Sequence, residues 1–240
     1  VYDNSIPAAA GNPKWRDAMR ADTAIWAGLG AYGAVRFFRY VRRENHRLSA
    51  ETYQFTFPML PEAFDRTRFV FLTDLHNNCF GERNEELLAA IRRADPEFVL
   101  IGGDMIISRQ PRYNDRTKEF LCRLAAEYPI YYTNGNHEEN YRKATREGRE
   151  AHRRYERDLK RAGVRFLHNE VIYLEKQGAR IAIAGFEPPH LCYQKGRVRK
   201  MGGEVMNRLL GKPEAFTILL AHTPFYFENY ADWGAGLVLS

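Results

Sequence analysis

Four short apolar runs do most to limit the folds open to this chain. They are Phe69 to Thr73 (FVFLT), Phe98 to Ile101 (FVLI), Ile130 to Thr133 (IYYT) and Thr217 to Ala221 (TILLA). Runs of this length, without polar alternation, suit strands buried on both faces. The stretches between the first three have helical spacing. Asn84 to Ala94 puts Leu87, Leu88 and Ile91 on one side, and Arg116 to Glu127 reads as a second helix. Glu139 to Ala162 reads as one long polar helix with Tyr141, Ala144, Gly148, Tyr155 and Leu159 facing inward. Further strands are expected at 171–174, 181–184 and 237–239. Strands that alternate with helices and then follow one another indicate a layered α/β protein. With 240 residues, 45% of them apolar, the chain can bury one sizeable core and carry a short appendage.

The appendage is expected at residues 1–65 and the main domain at 66–240. Residues 1–20 are polar, residues 22–47 read as a helix, and Thr52 to Phe57 (TYQFTF) alternates like a strand. Pro58, Pro61 and Asp65-Arg66 mark the boundary. Ala24 to Val35 is apolar, and Arg36, Arg39, Arg42 and Arg43 follow among Phe37, Phe38, Tyr40 and Val41. That pattern fits contact with a membrane surface, and equally a short amphipathic helix packed on the domain. No run reaches the ~18 apolar residues of a membrane span. The localisation expected is therefore cytoplasmic or membrane-associated. A net charge of +6 suits an anionic partner, or simply a solvated basic face. Three scattered cysteines, Cys79, Cys122 and Cys192, argue against a disulfide framework or a zinc-thiolate site.

The chemistry gathers where the apolar runs end. Asp74 and His76 follow FVFLT, and Asp104 follows FVLI through Gly102-Gly103. Asn136 and His137 follow IYYT through Asn134-Gly135, and His222 follows TILLA. In open α/β sheets, ligands collect beyond the carboxyl ends of strands. Gly103 and Gly135 let the backbone turn sharply beside bulky ligands. In an extended segment Asp74 and His76 would point the same way and grip one ion. Carboxylate, imidazole and amide without thiolate suit Mn, Fe or Zn. Asp104, lying between the other pairs in sequence, is the candidate to bridge two ions.

Other signals are weaker. Between Arg142 and Arg165 basic residues interleave with Glu147, Glu150, Glu156 and Asp158, which favours ion pairs four residues apart on a solvated helix. Lys195, Arg197, Arg199 and Lys200 form a basic loop fit for a phosphate-rich headgroup or nucleic acid. His190 is a candidate to line a cleft, and His168 reads as structural.

Taken together, Asp74-Leu75-His76, Gly103-Asp104, Gly135-Asn136-His137-Glu138 and His222 resemble the motifs of calcineurin-like metallophosphoesterases. The resemblance spans about Arg68 to Ser240. The segment ahead of it, with Leu60 to Asp65, is similar to the membrane-proximal bacterial branch. The resemblance implies a four-layer α/β/β/α sandwich with two mixed sheets and two divalent metal ions. Asp74 and His76 would bind one ion, Asn136 and His222 the other, with Asp104 between them. His137 would act on the substrate as acid or phosphate-stabilising group. The implied activity is hydrolysis of a phosphodiester or phosphomonoester by a hydroxide bridging the two metals. The implied substrate is a phosphorylated small molecule or is phospholipid-like, with no specific nucleic-acid partner.

Two departures stand out. The family's last motif, G-H-x-H, is missing, and the expectation is a chain truncated after Leu237 to Leu239. Taken literally, that loss also fits a weak or inactive metal-binding scaffold of the same fold. The second departure is Ile107, which stands where many relatives carry an Asp that orients the histidine of G-N-H. Glu138 or a backbone carbonyl is the candidate replacement.

Overall fold

The computed structural model describes residues 32–39, 47–108, 114–143, 145–189, 192, 201–202 and 204–240. Two units are present, Val1–Arg47 and Leu48–Ser240. In the first, helix α1 covers residues 32–39 and every one of its residues is exposed. The rest of the helix expected over 22–47 lies almost wholly outside the described residues. So do His190 and the basic loop at 195–200.

The second unit holds two four-stranded sheets. In the first sheet β1 (Phe69–Leu72), β2 (Phe98–Ile101), β3 (Ile130–Tyr132) and β4 (Val164–Phe166) lie side by side in chain order, all parallel. Helices α2 (Glu85–Ala94) and α3 (Asn114–Ala125) form the first two crossovers, and α4 (Asn136–Lys143) with α5 (Arg146–Arg161) the third. The second sheet runs β5 (Glu170–Lys176), β6 (Ala179–Gly185), β7 (Thr217–Leu220) and β8 (Leu237–Leu239). Strands β5 and β6 form an antiparallel hairpin, and β6, β7 and β8 are parallel. The hairpin turn is Gln177-Gly178, both with positive φ, the geometry that matches strand twist. Helices α6 (Glu204–Leu210) and α7 (Phe227–Trp233) complete the unit.

Alternation along the strands creates the layers. On β2, Val99 and Ile101 face a core shared with α2, α3 and α5, through Leu88, Ile91, Leu121, Leu124 and Leu159. Phe98 and Leu100 face the other way, onto Ile181 and Ile183 of β6 and Ile218 and Leu220 of β7. The outer face of the second sheet, with Ala184 and Leu219, packs on Met206, Tyr230 and Trp233 of α6 and α7. The order is therefore helices, sheet, sheet, helices, the expected four-layer α/β/β/α sandwich. Each fully buried aliphatic side chain of β2 contributes about 1.5–3 kcal/mol of transfer free energy. Leu60, Ala63 and Phe64 pack into the core between the sheets.

Three local expectations are corrected. Mixing of strand directions is confined to the second sheet; the four described strands of the first are all parallel. Residues 52–57 form no strand. Tyr53, Phe55 and Phe57 instead stack ring on ring, and Phe57 rests on Phe216. Alternation marks a side-chain period of two, which an extended segment has with or without a ladder partner. The single long helix is two. Thr145 is extended and its hydroxyl accepts from the Gly148 N–H at 3.1 Å, starting α5 afresh. On α5, Gly148, His152, Tyr155 and Leu159 are buried, and ion pairs such as Arg146–Glu150 line the outer face.

Candidate metal centre

Two loops meet at the carboxyl end of the first sheet so closely that only glycine fits. A Cβ on Gly103, which has φ of 95°, would lie 2.2 Å from the Gly135 nitrogen. A Cβ on Gly135 would lie 2.2 Å from Oδ1 of Asp104. This contact brings the turn after β2 against the turn after β3. Three ligand candidates sit with positive φ, namely Asp74 (54°), His76 (50°) and Asp104 (52°). Left-handed backbone in residues other than glycine is strained and gathers at functional sites. The expectation of an extended Asp74–His76 pair is thus replaced by a tight left-handed loop. Its backbone is pinned by Asp74 N–H to Gly103 O and His76 N–H to Asp104 O, at 3.1 and 3.0 Å.

All the candidate residues converge on Asp104. Its Oδ2 lies 3.2 Å from His76 Nε2, 3.3 Å from His222 Nε2 and 3.9 Å from His137 Nε2. Asp74 Oδ1 is 3.8 Å from His76 Nε2, and Asn136 Oδ1 is 3.3 Å from His222 Nε2. Two groups have the spacing to hold a metal ion: His76, Asp104 and His137, and Asp74, Asp104 and His222. Asp104 belongs to both. Carboxylate and imidazole donors this close, with no lysine or arginine among them, fit a divalent cation.

Burial works against charge on Asp104, yet its pKa is lowered. The hydrogen bond and charge of His222, the His137 N–H and the His76 ring outweigh the burial. His222 mirrors it: burial depresses its pKa, but Asp104 carries it above the ordinary histidine value. A bound cation would displace that proton, so metal uptake is coupled to proton release.

Two of the three histidines around Asp104 are held by opposite backbone groups. His222 Nδ1 lies 2.9 Å from the carbonyl of Gly102 and so carries a proton, which leaves Nε2 as the lone-pair side of the neutral ring. His137 Nδ1 instead accepts the Ser108 N–H at 3.3 Å, so in the neutral ring Nε2 carries the proton. A backbone amide therefore meets the nitrogen that the Asp missing at 107 would have met. Glu138, the other candidate, turns its carboxylate elsewhere and is fully buried beneath the loops. Its carboxylate accepts the N–H groups of Asp104, Met105 and Gly135 and the hydroxyl of Tyr132. The adjacent G-D and G-N turns, with their exposed N–H groups, were the only sequence sign of this role.

His168 is structural, as the sequence suggested, though its partners lie far off in the chain. Its two nitrogens each lie 2.8 Å from a carboxylate, Glu156 on one side and Glu187 on the other. Glu187 in turn accepts the N–H of Asn134, two residues before Asn136. The hydrogen bonds of Glu156 and Glu187 overcome burial and raise His168 to about 9. Its stabilising contribution is complete below the unfolded histidine value of ~6.5 and is lost as pH rises through about 9. We expect the thermal midpoint of His168→Gln to fall below wild type at pH 6 and to meet it near pH 10 in metal-free buffer. A gap that stays constant across that range would exclude the charged bridge.

The profile of the calcineurin-like phosphoesterase family matches residues 67–238. The match covers both sheets and every site residue, and the chain belongs to that family. A search of curated proteins returns no match.

Proposed function

We propose that the protein hydrolyses a phosphodiester or phosphomonoester with two divalent ions held about Asp104. By the family's pattern Asp74 and His76 would hold one ion and Asn136 and His222 the other, although by distance alone the donors group as His76 with His137 and Asp74 with His222; Mn, Fe or Zn suits them. Bound there, the ions would polarise the phosphoryl group and lower the pKa of water. The observation that carries this reading is the convergence of three imidazole nitrogens on one carboxylate oxygen: Asp104 Oδ2 lies 3.2 Å from His76 Nε2, 3.3 Å from His222 Nε2 and 3.9 Å from His137 Nε2. His137, kept in its Nε2–H tautomer by the Ser108 N–H, would then offer that N–H as a hydrogen bond to the phosphoryl or leaving oxygen and stabilise the charge that develops there. Asp104, with its lowered pKa, stays ionised as the site's central anion.

Removing one donor aimed at the charge that develops in a transition state costs about 10²–10³ in rate. We expect His137→Ala to lower kcat on an activated phosphodiester by that order, with the bound metal, measured by plasma mass spectrometry, unchanged. Unchanged turnover would sink the donor role. Loss of metal would reassign His137 to the ligand set.

Substrates at a membrane surface, phospholipid-like ones included, suit the first unit. On α1 Tyr32, Val35, Phe37 and Phe38 are all more than half exposed, beside Arg36 and Arg39. No helix among the described residues is long and apolar enough to cross a membrane. Flotation with anionic vesicles should carry the full chain and fail for Phe37→Asp with Phe38→Asp. Equal flotation of both would remove the surface-binding reading.

A further inference from the structure

Beside the metal centre is a cleft of about 220 Å³ that the proposed hydrolysis leaves unused. Gly135 and the start of α4 form one wall and Pro188-Pro189 the other. Gly135 belongs to the turn that lies against Asp104. Arg142 and Lys143, the last two residues of α4, also line the cleft, and both bond to the same carboxylate, Glu139. The Glu139 side chain is 9% exposed, whereas those of Arg142 and Lys143 are 51% and 44% exposed.

Glu139 thus fixes two cations in place and offsets the charge of one. Glu187, the other acid in the lining, is bonded to His168. A guanidinium has five N–H donors and an ammonium three, so each cation has donors beyond those pointed at Glu139. A fixed guanidinium with an ammonium beside it matches phosphate geometry.

We infer that this cleft binds a second phosphate group of the substrate, so the enzyme prefers phosphate esters that carry another phosphate near the scissile one. The inference rests on the phosphoesterase reading for its substrate and on Arg142, Lys143 and Glu139 for its site.

The test compares two chromogenic esters that differ by one phosphate: thymidine 5′-(p-nitrophenyl phosphate) and the same ester with a 3′-phosphate. The metal-loaded wild type should show kcat/KM higher by about 10- to 100-fold for the second, as expected for hydrogen bonds between charged groups. In Arg142→Gln with Lys143→Gln the ratio should fall to near one. A parallel calorimetric titration of metal-free protein with thymidine 3′,5′-bisphosphate and thymidine 5′-phosphate reads binding alone, and circular dichroism checks the fold. A wild type with no preference in either measurement overturns the inference, as does a preference that survives the double variant. Preferential binding that the double variant abolishes, with no hydrolysis under any of Mn, Fe or Zn, supports the cleft and defeats the phosphoesterase reading.

Discussion

Asp104→Asn should abolish metal binding and phosphoester hydrolysis together while leaving a folded protein. The side chain keeps its shape, and its Oδ1 can still accept the His137 N–H found at 2.8 Å. What disappears is the central charge toward which His76, His137 and His222 all point. Two ions without a shared anion repel each other with nothing between them. Charge stabilisation by the ions is worth several kcal/mol, and each ~1.4 kcal/mol is tenfold in rate, so activity should fall by about 10³-fold or more. Metal added at ~100 times its dissociation constant stabilises a native protein by about 2.7 kcal/mol. The thermal midpoint of wild type should therefore climb with added Mn while that of Asp104→Asn stays flat. An Asp104→Asn protein that still bound two ions per chain would show that Asp104 is not the bridge.

That residue was legible in the sequence because its signal is local. A buried strand, two glycines and a carboxylate are adjacent, and the same grammar recurs at Asp74, Asn136 and His222. The layers were legible for a similar reason, since apolar runs with helical intervals leave few arrangements that bury both faces of a sheet. What escaped was set by the third dimension. Strand β4 is three residues long, Val164–Phe166, with exposed Arg165 at its centre, too short for a pattern to declare itself. The extended segment at 52–57 has the side-chain rhythm of a strand, but a ladder depends on a partner, which rhythm cannot supply. The tautomer of His137 is set by the amide of Ser108, 29 residues away. The bond from His168 to Glu187 spans 19 residues, and a backbone N–H leaves no mark on composition. The same limit hid the working side of Glu138. It reads as a motif residue and a candidate partner for His137, whereas its carboxylate lies under two glycine turns.

Removing that carboxylate should cost the protein much of its stability. Glu138 has no exposed surface. Oε2 accepts the N–H groups of Asp104 at 2.8 Å and Gly135 at 3.1 Å, and Oε1 accepts Met105 N–H at 2.9 Å and the Tyr132 hydroxyl at 2.8 Å. In Glu138→Ala three backbone donors lose their acceptor in a place water does not reach. Each costs about 1–3 kcal/mol, so the loss is on the order of 3–9 kcal/mol, against a typical folding margin of ~5–15 kcal/mol. Glu138→Gln is milder, since one amide oxygen can still serve Asp104 and Gly135. The new NH₂ group then faces Met105 N–H, donor against donor, at a cost of about 1–3 kcal/mol. Burial comes first in raising the pKa of Glu138, and the charge of Asp104 adds to it. Part of the Gln cost is therefore offset by removing a buried anion beside another. Because this one carboxylate ties the Asp104 turn to the Asn136 turn, Glu138→Gln should also weaken metal affinity by about 10- to 100-fold, the usual effect of an outer-shell substitution. Urea unfolding and metal titration of the two variants measure both effects. A purely structural role would lower stability with affinity intact, whereas a tie between the two turns lowers both, and restoring the carboxylate one methylene shorter, as Glu138→Asp, should recover stability and affinity in parallel.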